Sequence, residues 1–137
     1  MDYDQFKIKR YDLWDLQLHT EQYPYIGRCI AWAHRLEADL VTDMNASERD
    51  ELFDLVVPDW KRAVTELYGP MRPNLSILGN EVAHLHAHLV PRFEIVKLFY
   101  GMEFVDPHPR ANYSPYPKNE LGLEILLRIK EDICSVF

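Results

Sequence analysis

The chain has 137 residues, 47% of them hydrophobic and 27% charged, the make-up of one globular domain, residues 1–137, with a core of its own. A formal net charge of −7 argues against a nucleic-acid backbone or an anionic membrane as the main partner, because both favour basic surface. A small anionic substrate stays open where a few arginines converge. The first residues, Met1 to Lys7, hold no apolar signal core, and no uncharged apolar run approaches membrane-spanning length, so the expected address is cytoplasmic. Cys29 and Cys134 match neither a disulfide framework nor zinc spacing and read as reduced thiols.

In chain order, Tyr11 to His19 alternates, with Trp14, Leu16 and Leu18 on one parity and Asp15, Gln17 and His19 on the other, which predicts a half-buried strand. Tyr23-Pro24-Tyr25 breaks it, and Gly27 to Ala33 reads as a second strand. A long helical stretch follows, opened by a capping-box pattern at Ser47 and Asp50 and continued by Leu52, Phe53, Val56, Val57, Trp60, Val64, Leu67 and Tyr68. Pro58 should kink or split that helix near Asp54. Asn74 to Leu78 and His84 to Val90 read as two strands around a Gly79-Asn80 turn. Phe99 to Lys118 reads as loop and Asn119 to Val136 as a closing helix. The expected fold class is α+β, a small antiparallel sheet with a long kinked helix and a C-terminal helix.

The run from His84 to Arg92 places three imidazoles at every second residue. On a strand, Leu85, Ala87 and Leu89 turn to a core, while His84, His86 and His88 line the opposite surface. One reading is a metal site, since His-x-His on a strand holds zinc. At ~3.3 Å per residue, His84 and His88 lie about 13 Å apart, so a metal would take two of the three, with no evident third ligand. The other reading is nucleophilic. Neutral imidazole attacks phosphorus near pH 7 and leaves again from the phosphoramidate that forms. His86 would attack through one ring nitrogen, its tautomer fixed by a hydrogen bond from the other. His88 would donate to phosphate oxygens or to the leaving group, and His84 would support the nucleophile.

The pattern His84-Leu85-His86-Ala87-His88-Leu89-Val90, continued by Pro91-Arg92, resembles the signature of the histidine triad (HIT) family. The order strand, Gly27-Arg28, strand, long helix, Asn74 to Asn80, triad extends the resemblance over nearly the whole chain. Phe104-Val105-Asp106 and Asn112-Tyr113-Ser114-Pro115-Tyr116 are similar to a bacterial subgroup resembling diadenosine tetraphosphate hydrolases. The resemblance implies a nucleotide hydrolase or nucleotidyl transferase that attacks an α-phosphate and passes through a covalent nucleotidyl-histidine. It assigns His86 as nucleophile, His88 as phosphate partner and His84 as support. It further implies a homodimer, a small nucleotide as ligand, and no cofactor beyond magnesium carried by the substrate.

Departures from the pattern mark further candidates. The loop before the triad is the short Gly79-Asn80-Glu81-Val82-Ala83, leaving Asn80 as the evident phosphate donor, with Glu81 expected to point away or to meet a ribose hydroxyl or a histidine. Arg28 stands where many members carry a histidine, and phosphate binding and a surface ion pair both stay open for it; the same two roles stay open for Arg92. Ribose contacts in the family come from the end of the first strand, here His19-Thr20-Glu21-Gln22, with Thr20 and Gln22 as candidates. Trp14, Trp32 and Trp60 are expected in the core, and His34 and His108 in solvent. A non-catalytic nucleotide-binding protein and a metal-dependent hydrolase using two triad histidines remain the competing readings.

Overall fold

The alternation in Tyr11 to His19 and Gly27 to Ala33 builds the centre of the molecule. In the computed structural model, which describes residues 2–137, these segments form strands β2 (Trp14–Leu18) and β3 (Cys29–Ala33). With β1 (Lys7–Arg10), β4 (Arg72–Ser76) and β5 (His86–Arg92) they make a five-stranded sheet in the order β1-β2-β3-β5-β4. Every adjacent pair is antiparallel. A separate ribbon pairs β6 (Lys97–Phe99) with β7 (Met102–Phe104). Helices α1 (Ala46–Glu51), α2 (Val57–Tyr68) and α3 (Leu123–Ser135) complete an α+β fold.

Register divides the sheet into two chemically distinct faces. Leu16, Ala31 and Ala87 lie side by side, as do Leu18, Cys29, Leu89 and Leu75, and they join Trp60 and Val64 of α2 and Ile129 and Ile133 of α3 in the core. The other face carries Asp15, Trp32 and His86 in one row and Gln17, Ile30, His88 and Ser76 in the next. Because the helices cover only the first face, the second is left to form a site.

Close packing at the entry to β3 fixes the helix against the sheet. Gly27 has φ +95°, and a Cβ there would fall 2.8 Å from Val64 Cγ1. Glycine alone combines that dihedral with so near an approach. The indole of Trp60 donates to the Gly27 carbonyl at 2.9 Å, closing the same joint.

The long helix breaks where Pro58 requires. Leu52–Val56 forms a π-helical turn and Pro58 sits in the first turn of α2. The proline has no N–H for the Asp54 carbonyl and its ring would collide with it, and the wider turn relieves both. The N-cap, in contrast, is Asn45 rather than Ser47. Asn45 accepts from the Glu48 N–H and Glu48 accepts from the Asn45 N–H, each at 2.9 Å, while Ser47 already lies inside α1.

Other boundaries differ from expectation for local reasons. The strand of the histidine run begins at His86, so His84 precedes it, and its partner spans Arg72–Ser76 rather than Asn74 to Leu78. Pro73 pairs with Pro91, which the sheet tolerates because β4 is an edge strand and β3 pairs with β5 only over His86 to Leu89. The unexpected β1 is the other edge, and its lysines and arginine hide any apolar alternation. The unexpected β6–β7 ribbon turns on Tyr100 and Gly101, both at positive φ, without the Asn-Gly or Asp-Gly signal of such hairpins. No described helix is long and apolar enough to cross a membrane. Both cysteines are free, Cys29 buried and Cys134 half-buried.

Candidate active site

A cavity of about 660 Å³ opens on the second face of the sheet. Ile30, Trp32, His86 and His88 form its floor, and its walls come from Leu18, His19 and Thr20, from Leu78 to Val82, and from Tyr113. The strand alternation that buries Ala87 and Leu89 is what turns His86 and His88 into this space.

Hydrogen bonds fix the proton positions on four imidazoles. Nδ1 of His86 lies 2.6 Å from the His84 carbonyl, which only accepts, so Nδ1 carries the proton and Nε2 keeps its lone pair. Nε2 of His84 lies 2.6 Å from the Ala33 carbonyl and therefore carries its proton. Arg28 Nη2 stands 3.4 Å from Nδ1 of His88, and a guanidinium has no acceptor, so His88 is protonated on Nε2. His19 Nδ1 accepts from the Glu21 N–H at 3.0 Å, which puts its proton on Nε2 as well. Of the three imidazoles lining the cavity, His86 alone presents a ring nitrogen with a free lone pair, while His88 and His19 present Nε2–H. Trp32 packs edge-on against both His86 and His84, at ring separations of 4.6 and 5.4 Å.

The electrostatic setting keeps His88 and His19 neutral. Burial, then the charge of Arg28, then His86 bring His88 down to a pKa of about 4. Burial, Arg28 and His88 bring His19 down to about 3. The rings of His19 and His88 are 5.7 Å apart, so two uncharged N–H donors stand side by side next to the free nitrogen of His86.

The expected site residues divide between the cavity and its supports. His86, His88, Thr20 and Asn80 line the cavity. His84 does not: its ring is turned to the end of β3 and it meets His86 through its backbone carbonyl. Arg28 is no surface residue. It is 3% exposed, lies over the rings of Tyr113 and Tyr116, and donates to the Tyr116 hydroxyl at 2.7 Å.

Of the two roles open for Arg92 the ion pair is the one that forms, with Asp106, in place of substrate binding, and the expectation for Gln22 is corrected. Every N–H of the Arg92 guanidinium is engaged, by both oxygens of Asp106, by Asn74 Oδ1 and by the carbonyls of Ala111 and His108, which leaves nothing for a phosphate. The buried Gln22 amide donates to the carbonyls of His19 and Arg28 and accepts from the Gly27 N–H, tying the loop between β2 and β3 together rather than facing the cavity. Trp32 is likewise outside the core expected for it, whereas Trp14 and Trp60 are fully buried. His34 is not simply solvated, since its Nε2 meets Asp15 Oδ1 at 2.8 Å.

Trp32 and Tyr113 line the cavity without being expected there, and His19 is expected only as one residue of the ribose segment His19-Thr20-Glu21-Gln22. Parity held the clue for two of them. His19 shares the parity of Asp15 and Gln17, and Trp32 stands between the small core residues Ala31 and Ala33. Tyr113 arrives from a segment distant in sequence, positioned by its hydroxyl 3.3 Å from Ser76 Oγ and by its carbonyl, which accepts from the Tyr25 hydroxyl at 2.6 Å. Among the described residues, no group of three or more His, Cys, Asp or Glu side chains is placed to hold a metal ion.

No family model and no curated protein matches the sequence. Solved structures do match its fold. A histidine triad protein from Bradyrhizobium japonicum superposes with a TM-score of 0.70 at 16% identity, covering 94% of this chain and 87% of that one. A histidine triad protein from Sinorhizobium meliloti gives 0.70 at 19%, covering 96% and 89%. A hypothetical histidine triad nucleotide-binding protein from Sulfolobus tokodaii gives 0.70 at 15%, covering 96% and 82%. The chain therefore has the histidine triad fold.

Proposed function

We propose that the protein is a nucleotide hydrolase or nucleotidyl transferase that cleaves at an α-phosphate through a covalent nucleotidyl-histidine on His86. The observation that carries this reading is the free Nε2 of His86, held in a cavity whose other two imidazoles present N–H donors. A nucleophile with donors beside it suits a phosphorus that gains negative charge on its oxygens as it is attacked. The cavity volume falls in the range of small-molecule sites, ~300–1,000 Å³.

In the first step the Nε2 lone pair forms a bond to the α-phosphorus and the bridging bond breaks, its electron pair leaving with the departing group. His88 and His19 donate Nε2–H to the non-bridging oxygens. In the second step water attacks the same phosphorus, releases a proton to solvent and returns His86 as neutral imidazole. Asn80 and Thr20, which line the cavity, are assigned to the phosphate and the ribose, and magnesium, where present, travels with the polyphosphate as part of the substrate. A dinucleoside polyphosphate such as diadenosine tetraphosphate is the proposed substrate type, acted on by a cytoplasmic homodimer.

The test is to incubate wild type and His86→Asn with diadenosine tetraphosphate and separate the products. AMP and ATP from the wild type alone are expected. Equal turnover by the variant would overturn the covalent reading, and tight binding with no product from either protein would favour a non-catalytic nucleotide-binding protein instead.

A further inference from the structure

We propose that Arg28 selects the leaving group: by holding His88 as a neutral Nε2–H donor, it confines the site to substrates whose leaving group departs as a stable oxyanion, phosphoanhydrides, and disfavours phosphoramidates. This rests on the nucleotidyl-histidine reading above and narrows it.

The geometry around His88 leaves no room for a second proton. The Arg28 guanidinium stands 3.4 Å from Nδ1, the position a second proton would occupy, so an imidazolium would lose its partner and face a cation. The facing groups from other elements give little relief. His19, at the end of β2, is a neutral donor. His86, on β5, keeps its proton on the far side of its ring. Ser76, opposite on β4, is uncharged. Glu21 is the nearby carboxylate, but it is engaged by Tyr116 and Lys118 and stands 3.8 Å from Arg28. The charge of Arg28 is itself incompletely answered, since its buried Nε has no hydrogen-bond partner.

The two substrate classes differ in the need for an acid. Breaking an anhydride P–O bond sends the electron pair onto a terminal phosphate oxygen, which needs no proton. Breaking a phosphoramidate P–N bond sends the pair onto an amine nitrogen, which must be protonated as it leaves. A positioned acid is worth ~10²–10⁴-fold in such a step, and a neutral His88 supplies none. Arg28 is thus a positioning residue, acting through His88 without touching the substrate.

Two measurements test this. Wild-type kcat/KM is compared for diadenosine tetraphosphate and for an alkyl phosphoramidate of AMP, with a preference of ~100-fold or more for the anhydride expected. In parallel, imidazole nitrogen NMR follows His88 in the wild type, where the Nε2–H tautomer should persist to about pH 5, above its pKa of about 4. Arg28→Gln should raise the His88 pKa and the relative rate on the phosphoramidate, and Arg28→Lys should restore both toward wild type. Comparable cleavage of both substrates, or His88 titrating near ~6.5, would overturn the proposal without touching the role of His86. Turnover of neither substrate would remove the catalytic reading and the leaving-group claim with it, whatever the NMR shows. If Arg28→Gln does not fold, a wild-type His88 titrating near ~6.5 still overturns the proposal, and Arg28→Lys still reads the dependence on the residue-28 cation.

Discussion

Nδ1 of His86 donates to the backbone carbonyl of His84 over 2.6 Å, so the support that the first histidine gives the second comes from its main chain. The carbonyl survives any substitution of the His84 side chain. What the side chain adds is the bond from Nε2 to Ala33, which anchors the segment before β5. His84→Ala should therefore lose that hydrogen bond, ~0.5–1.5 kcal/mol, and the edge-on contact with Trp32, and with the carbonyl intact kcat should fall only on the order of tenfold. His86→Asn should lose all turnover. A steady-state comparison that found His84→Ala as inactive as His86→Asn would place the His84 ring itself in the chemistry.

A covalent intermediate should be trapped on the same atom. With substrate labelled at the α-phosphate, an acid-labile, base-stable protein adduct is expected within the first turnover, mapped to the peptide that carries His86. Its absence from wild type under single-turnover quenching, together with normal product formation, would point to direct attack by water.

Trp32 holds the nucleophile from the side. Its ring meets His86 and His84 edge-on, an arrangement worth ~0.5–1.5 kcal/mol beyond simple burial. Trp32→Ala should lower kcat by up to about tenfold, and Trp32→Phe by less. A loss confined to KM would mean that the indole contacts substrate rather than orienting His86.

The fold and the centre of the site were legible because both follow from alternation. Period two in the run from Leu85 to Leu89 gave the buried and the presented residues, and Pro58 gave the break in the long helix. Alternation does not say where a strand starts, and His84 lies before β5 with its ring turned to the end of β3. Alternation also says nothing of partners far along the chain. Arg92 continues the motif, but Asp106 engages it; Gln22 follows β2, where three main-chain groups of its own loop engage it. Tyr113, conversely, became a wall of the cavity through contacts with Ser76 and Tyr25 that no local pattern encodes.

The Arg92–Asp106 pair makes a prediction about stability alone. Both side chains are 2% exposed and meet at 2.6 Å, and removing one member of such a pair leaves an unpaired buried charge at a cost of ~3–5 kcal/mol. Asp106→Ala should lower Tm sharply, while the fraction that remains folded keeps its substrate KM. A raised KM with Tm unchanged would return Arg92 to the substrate.

Stability should also fall with acid over a window set by the buried imidazoles. His88 and His19 have folded pKa values of about 4 and about 3 against ~6.5 for an unfolded histidine. Between those values the unfolded chain binds protons that the folded chain refuses, so the stabilisation is complete above pH ~6.5 and is lost progressively as pH drops toward the folded pKa. Thermal melts from pH 8 to 4.5 should show Tm declining below pH ~6.5, before the ordinary carboxylates titrate at ~4. His88→Gln and His19→Gln should each flatten that decline, because glutamine keeps an N–H donor and binds no proton. A wild-type Tm that stays level from pH 8 to 5, or variants with the same slope as wild type, would mean that these histidines accept protons freely in the folded protein, and that the cavity is more open to water than the packing of Arg28 against Tyr113 and Tyr116 implies.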